Sequence, residues 1–329
     1  MPSRCVISIA VVLAASAAVA DTVTLSSGDD GKGRIEISGT VVDYTGIEVT
    51  IGTVGGSERS YPAGRVVAID TRWPDGYQQG SEELAAGKYS QASKLLTAAV
   101  RADQRAWVRR LAMEKLMDCY AAVGDPGSAG RLLVELAKSD PTTPAMRRAP
   151  LAWHSGTQVA PAVVAEWQAS NQPAARLLAS SYSLSGSDRA AALETLASLA
   201  HGGDEQVARL AEMQQWRTQV VTASSSDVER WEKRLAELPD SLQAGGWLVV
   251  GDTHRQLRQA DSAALAYLRA SMLAEKRPQL AAAAMLRAAK TLEADGKQDE
   301  AQQLVAELMR DYPKTAAASE AKNMLQSPE

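Results

Sequence analysis

Phenylalanine is absent from this 329-residue chain, and aromatic residues together make up only 5% of it. A core built without phenylalanine must be filled by smaller side chains, and here 45% of residues are hydrophobic, with alanine abundant. That composition suits helices whose backbones approach closely. Cysteine is scarce too: Cys5 and Cys119 are the two present, which excludes a disulfide-stapled scaffold. The three histidines, His154, His201 and His254, lie in separate segments, and the chain has no His-Glu-x-x-His, Cys-x-x-Cys or acidic calcium loop. No metal site and no cofactor is expected from such a set. Charge of one sign is also missing, because 35 Lys and Arg face 39 Asp and Glu for a net charge of −4. A chain so balanced does not advertise binding to nucleic acid or to an anionic membrane.

Long apolar runs are lacking beyond the N-terminus. Arg4 precedes an apolar stretch from Cys5 to about Ala15, and Ala18-Val19-Ala20 supplies small residues before Asp21. This reads as a secretory signal over residues 1–20 with cleavage ahead of Asp21, since the run falls short of the roughly 20 residues that a span needs. The expectation is an exported protein, periplasmic or extracellular, and not an integral membrane protein once cleaved. Cys119 would then have no intrachain partner and is expected as a small buried hydrophobe.

Residues 21–72 are β-branched and largely alternating in Thr22–Leu25, Arg34–Asp43, Ile47–Ile51 and Val66–Asp70, with Gly-rich turns between them. Five short strands in a small curled sheet or SH3-like barrel are expected. Gly28-x-x-Gly31-x-Gly33 is read as a hairpin turn, not a phosphate loop, because a strand and not a helix follows it. Trp73-Pro74-Asp75-Gly76 marks the change to helical texture.

Helical hairpins then recur. Gly87 is followed by Ala92, Leu95, Leu96 and Ala99; Gly124 is followed by Ala129, Leu132, Leu133 and Leu136. In each copy a glycine ends one helix, a small residue five positions on allows close approach, and an apolar stripe follows. Trp247, Val250, Gly251, Ala263, Ala266, Tyr267 and Ala270 form another copy. Met285, Ala288, Ala289, Leu292, Gly296, Ala301, Leu304 and Leu308 form one more. Degenerate copies centre on Ala160, Ala192 and Val228, so the seven anchors recur at intervals of 31 to 38 residues. The pattern resembles the tetratricopeptide repeat, whose period is about 34 residues. The resemblance implies that residues 73–329 form an all-α superhelical solenoid. Clear repeats cover 73–141 and 244–313, degenerate hairpins lie between them, and a capping helix runs over 315–325.

The resemblance also implies a function. Inner helices of such arrays line a groove for a protein or peptide partner, and the matching positions here are Glu114, Asp118, Leu248, Asp252, Arg255, Lys290 and Glu293. They lack the Lys/Arg pair with which co-chaperone repeats clamp a terminal carboxylate. An exported, non-enzymatic scaffold working through protein–protein contact is the resulting expectation, with self-assembly through open ends as a further option. The alternative is an envelope-glycan binder or unfamiliar hydrolase using Arg147, Arg148, Trp153 and His154, which cluster around the Pro-rich break at 141–153. No Gly-x-Ser-x-Gly elbow accompanies them. Adjacent acids such as Glu82-Glu83 point apart on a helix surface and read as a solvated face.

Overall fold

The computed structural model describes residues 20–27, 33–53, 55–154 and 157–326. The expected signal segment and most of the Gly28–Gly33 turn lie outside the described residues. Contacts divide the chain into two units at the Trp73–Pro74 junction.

Alternation in the first unit turns Val23, Leu25, Val41, Val49 and Ile51 into its buried residues. They lie on an antiparallel sheet of five strands among the described residues: β1 (Asp21–Ser27), β2 (Gly33–Tyr44), β3 (Glu48–Gly52), β4 (Glu58–Pro62) and β5 (Val66–Asp70). Their order is β4-β3-β2-β1-β5, and a 3-10 turn at Ala63–Arg65 leads into β5. The long β2 pairs with β1 through its first half (Val23 opposite Ile37) and with β3 through its second (Val41 opposite Ile51). Gly39 sits at the changeover, where a Cβ would fall 2.5 Å from the Gly52 carbonyl oxygen, so only glycine fits without a shift. Asp21 is buried, and its carboxylate accepts from the Val41 amide at 2.7 Å and from the Thr71 hydroxyl at 2.5 Å.

The second unit is mostly helical among the described residues. The first two hairpins are α1 (Tyr77–Ala85) with α2 (Tyr89–Ala102) and α3 (Ala106–Ala122) with α4 (Pro126–Ser139). After an irregular crossing come α5 (Pro161–Gln168), α6 (Pro173–Ser183), α7 (Arg189–Ala200), α8 (Glu205–Gln219) and α9 (Ser225–Ala236). The chain ends with α10 (Asp240–Gln256), α11 (Ala260–Leu273), α12 (Pro278–Ala294), α13 (Gln298–Asp311) and α14 (Ala316–Gln326). Most helices pack on the next in sequence, and α1 with α3, α6 with α8, α8 with α10 and α12 with α14 pack as alternate neighbours. Between α8 and α9 the indoles of Trp216 and Trp231 stack with their centroids 5.4 Å apart.

The hairpin turns share one device. Gly87, Gly124 and Gly296 end α1, α3 and α12 at φ of 69°, 79° and 81°, and each lies five residues before a buried alanine, Ala92, Ala129 or Ala301. In the remaining clear copy, five residues before buried Ala263, the left-handed position after α10 is held by Arg258 at φ 60°. Gly251, the glycine singled out by the sequence pattern, instead lies within α10, where a Cβ would meet the Tyr267 ring at 2.5 Å.

Two features break the simple succession. The described residues within 140–159 form no full helix; a 3-10 turn over Pro144–Arg148 packs against α4, α8 and α10. The start of α12 also returns to the end of α3, where the Gln279 side-chain amide donates to the Ala122 carbonyl at 2.9 Å. One apolar cluster runs from Met117 to Ala288 across this closure.

Candidate functional site

The irregular segment after α4 is bound like a short extended strand. The Ala152 amide donates to Ser181 Oγ at 2.9 Å, and Tyr182 donates to the Pro150 carbonyl at 2.6 Å. Arg217 on α8 reaches the Ala152 carbonyl, the Ser181 carbonyl at 3.1 Å and Gln214 Oε1 at 3.0 Å. Trp153 is 4% exposed. Its ring lies against the backbone of Gly245, where an added Cβ would meet the ring at 2.1 Å. Its helical neighbour Gly245 has no side chain, and that is what lets the ring seat so closely on α10.

Between this segment and the inner faces of α10 and α12 lies a cavity of about 1340 Å³. Arg287 and Lys290 project into it from one face of α12, with Ala283 and Ala294 forming its floor on the same face. Eight basic side chains and three acidic ones line it, an excess of five positive charges in a chain whose net charge is −4. Some of these cations are paired. Arg287 donates to Asp252 at 2.6 Å, Asp252 also accepts from the Tyr267 hydroxyl at 2.7 Å, and Lys290 pairs with Glu320.

Arg148 bonds Asp118 at 2.9 Å and Glu114 at 3.3 Å. One guanidinium cannot compensate two enclosed carboxylates, so burial wins at both acids and raises their pKa despite the attraction of Arg148. Arg148 itself loses solvation, yet the two carboxylates together raise its pKa.

Other cations have no such partner. Among the described residues Arg189, Arg217, Arg258 and Arg277 form no ion pair. Burial and the nearby Arg287 lower the pKa of Arg217. Burial, followed by the field of Arg148, pushes Arg277 down to about 10, against some relief from Asp118. His154 is pushed down to about 4 by burial, then by Arg287 and Arg217.

The groove positions expected from the sequence divide accordingly. Asp252, Arg255 and Lys290 line the cavity. Glu114 and Asp118 stand behind Arg148 as its partners. Leu248 is not groove-lining: it is fully buried in the main apolar cluster, because α10 is covered on that face as well. Glu293 is exposed and does not line the cavity. Of the alternative cluster, Arg148, Trp153 and His154 reach the cavity and exposed Arg147 does not. Among the described residues no cluster of His, Cys, Asp and Glu could hold a metal ion, and no helix is long and apolar enough to cross a membrane.

No known protein-family model matches the chain, and no curated protein matches its sequence. The site must therefore be read from its own geometry. Arg189, Arg217, Arg277 and Arg287 escaped the sequence reading. For Arg287 a signal existed, since it and Lys290 are three residues apart and share a helix face. Arg189, Arg217 and Arg277 reach the cavity only through the crossing segment and the return of α12 to α3, which no local pattern encodes.

Proposed function

We propose that residues 74–329 are a tetratricopeptide-like array of helical hairpins, and that the protein is an exported, non-enzymatic scaffold holding a partner protein against its inner face. The observation that carries this reading is the shared turn: a left-handed residue five positions before a buried alanine in four hairpins, with the inner helices of the last two lining the cavity. The cavity exceeds the roughly 300–1,000 Å³ of ordinary small-molecule sites, which leaves room for a length of polypeptide. For the first unit, strand order β4-β3-β2-β1-β5 with a 3-10 turn before β5 supports an SH3-like barrel.

A photo-crosslinking residue placed at Arg255 or Lys290, in cells of the native host, tests the scaffold reading. It expects one discrete adduct in the exported fraction from these cavity positions and none from exposed Arg230. Equal labelling from Arg230, or no adduct from either cavity position, would sink it.

The glycan-binding or hydrolytic reading keeps one observation in its favour, the presence of Arg148, Trp153 and His154 on the cavity wall. Against it, the Trp153 ring is covered by Gly245 and offers no sugar-stacking face. Turnover of an envelope glycan by the purified protein, lost in His154→Ala, would favour this reading over the scaffold.

A further inference from the structure

Arg277 is the residue that caps the start of α12, immediately before Pro278. It is partly exposed and lines the cavity. Its guanidinium carries five N–H donors and always bears charge, but among the described residues it makes no side-chain hydrogen bond and no ion pair. Asp118 lies within its field and is committed to Arg148 instead.

None of the Arg277 nitrogens is among the buried atoms left without a partner, so its donors open onto the cavity, where a ligand can reach them. Burying a charge is tolerated when a partner or bound group satisfies it. The surroundings do the reverse for Arg277, because Arg148 stands close enough to weaken its charged form. Further along the same cavity His154 feels the combined field of Arg217 and Arg287. Cations thus repeat along the cavity, Arg148, Arg287 and Lys290 in ion pairs and, among the described residues, Arg189, Arg217, Arg258 and Arg277 in none. The starts of α4 and α11, at Pro126 and Ala260, also line the cavity.

We propose that this cavity is a binding site for a ligand bearing oxyanion groups, carboxylate or phosphate, with Arg277 as the seat of one such group and Arg148 beside it. Planar guanidinium groups hold both kinds of oxyanion through paired N–H···O bonds. Counting the Glu114 and Asp118 carboxylates bonded to Arg148, eight cations still face five acids around about 1340 Å³, which favours a ligand with several negative charges over one with a single charge. Arg217, Arg255, Arg258, Arg287 and Lys290 line the same cavity. The inference rests on the cavity being the binding surface proposed above, but not on its occupant being a protein.

The test is calorimetric titration of the full-length protein at low ionic strength with pyrophosphate, tricarballylate, hexaglutamate peptide and an uncharged Ser/Gly peptide of equal length. The anionic probes are expected to bind, with affinity falling as salt is added. Arg277→Gln is expected to weaken them roughly tenfold or more, the size of lost charge-assisted hydrogen bonds, while Arg230→Gln changes nothing. Melting temperature separates a ligand seat from a structural prop. Without ligand Arg277→Gln should melt at the same temperature as the parent or higher, and it should lose the rise that pyrophosphate gives the parent.

Binding of hexaglutamate together with the small anions supports both this inference and the scaffold reading. Binding of the small anions without any peptide supports this inference alone and counts against a polypeptide occupant. Binding of the Ser/Gly peptide equally well, unaffected by Arg277→Gln, overturns the anion site while leaving the scaffold reading standing. A lower ligand-free melting temperature in Arg277→Gln also overturns it, because Arg277 would then be holding the fold together.

Discussion

Replacing Gly245 by alanine adds one methyl group at the most crowded point of the helical unit. The new Cβ would sit 2.1 Å from Cε2 and 2.3 Å from Cζ2 of Trp153. Ordinary carbon contacts need about 3.5 Å, so the indole must retreat by roughly 1.4 Å. It has little room to do so: the ring is 4% exposed, and the preceding residue is fixed by the Ala152–Ser181 hydrogen bond and by Arg217. Overpacking of this kind costs about 1–3 kcal/mol. Alanine's better helix propensity returns about 0.5–1 kcal/mol. Expulsion of the ring caps the loss at about 3–5 kcal/mol, the value of a buried tryptophan. A net loss of about 1 kcal/mol follows, equivalent to a melting temperature about 2–4 °C lower in a unit of this size. Urea unfolding followed by tryptophan fluorescence measures it, with Gly127→Ala as the comparison. Gly127 is also helical, but its added Cβ would come no nearer than 3.5 Å to any neighbour, so that change should be neutral or slightly stabilising. Should Gly245→Ala prove as stable as the parent with unchanged fluorescence, the close seating of Trp153 on α10 is refuted.

Arg258→Gly removes a left-handed non-glycine residue costing about 1–2 kcal/mol and returns about 0.5–1 kcal/mol of chain entropy to the unfolded state. The variant should melt slightly higher yet bind pyrophosphate more weakly, as thermal unfolding and titration will show. For His154 the sign follows from a folded-state pKa pushed below its usual 6.5 to about 4. The unfolded chain takes up a proton first, so stability is full above pH 6.5 and falls between pH 6.5 and 4, by at most about 1.4 kcal/mol per pH unit. Raised pKa values at Glu114 and Asp118 act oppositely, since acid favours their folded form. The readout is therefore the difference between parent and His154→Gln in denaturant titrations at pH 7 and 5, where the parent should lose more. Cys119 is buried with its thiol pushed up to about 11 by burial and by Asp118. It should resist alkylation at pH 8 until the protein is denatured, as intact mass will report.

Helix-rich architecture was readable because its signals are local. The glycine turns and the stripes such as Val228, Trp231 and Leu235 depend on neighbours three to five residues apart, and all three of those side chains are buried. Strand β4 was not named beforehand because Glu58-Arg-Ser-Tyr-Pro62 has no apolar alternation; it joins the sheet through backbone pairing to β3. The cavity was legible only in part. Asp252, Arg255 and Lys290 follow from position within a hairpin, but Leu248 fails because a second layer covers it. Arg217 and Arg277 depend on contacts between residues 36 to 65 apart or on the meeting of α3 with α12, which no window of sequence contains.

That meeting has a consequence for how the chain can change over generations. An open stack gains or loses whole units at little cost, since each touches only its neighbours. Here the Gln279–Ala122 hydrogen bond makes a seam between elements 157 residues apart. Duplicating or deleting a hairpin anywhere between them would part it, so the number of units inside the loop is locked, whereas α1 and α2 before it, with α13 and α14 after, stay free to vary.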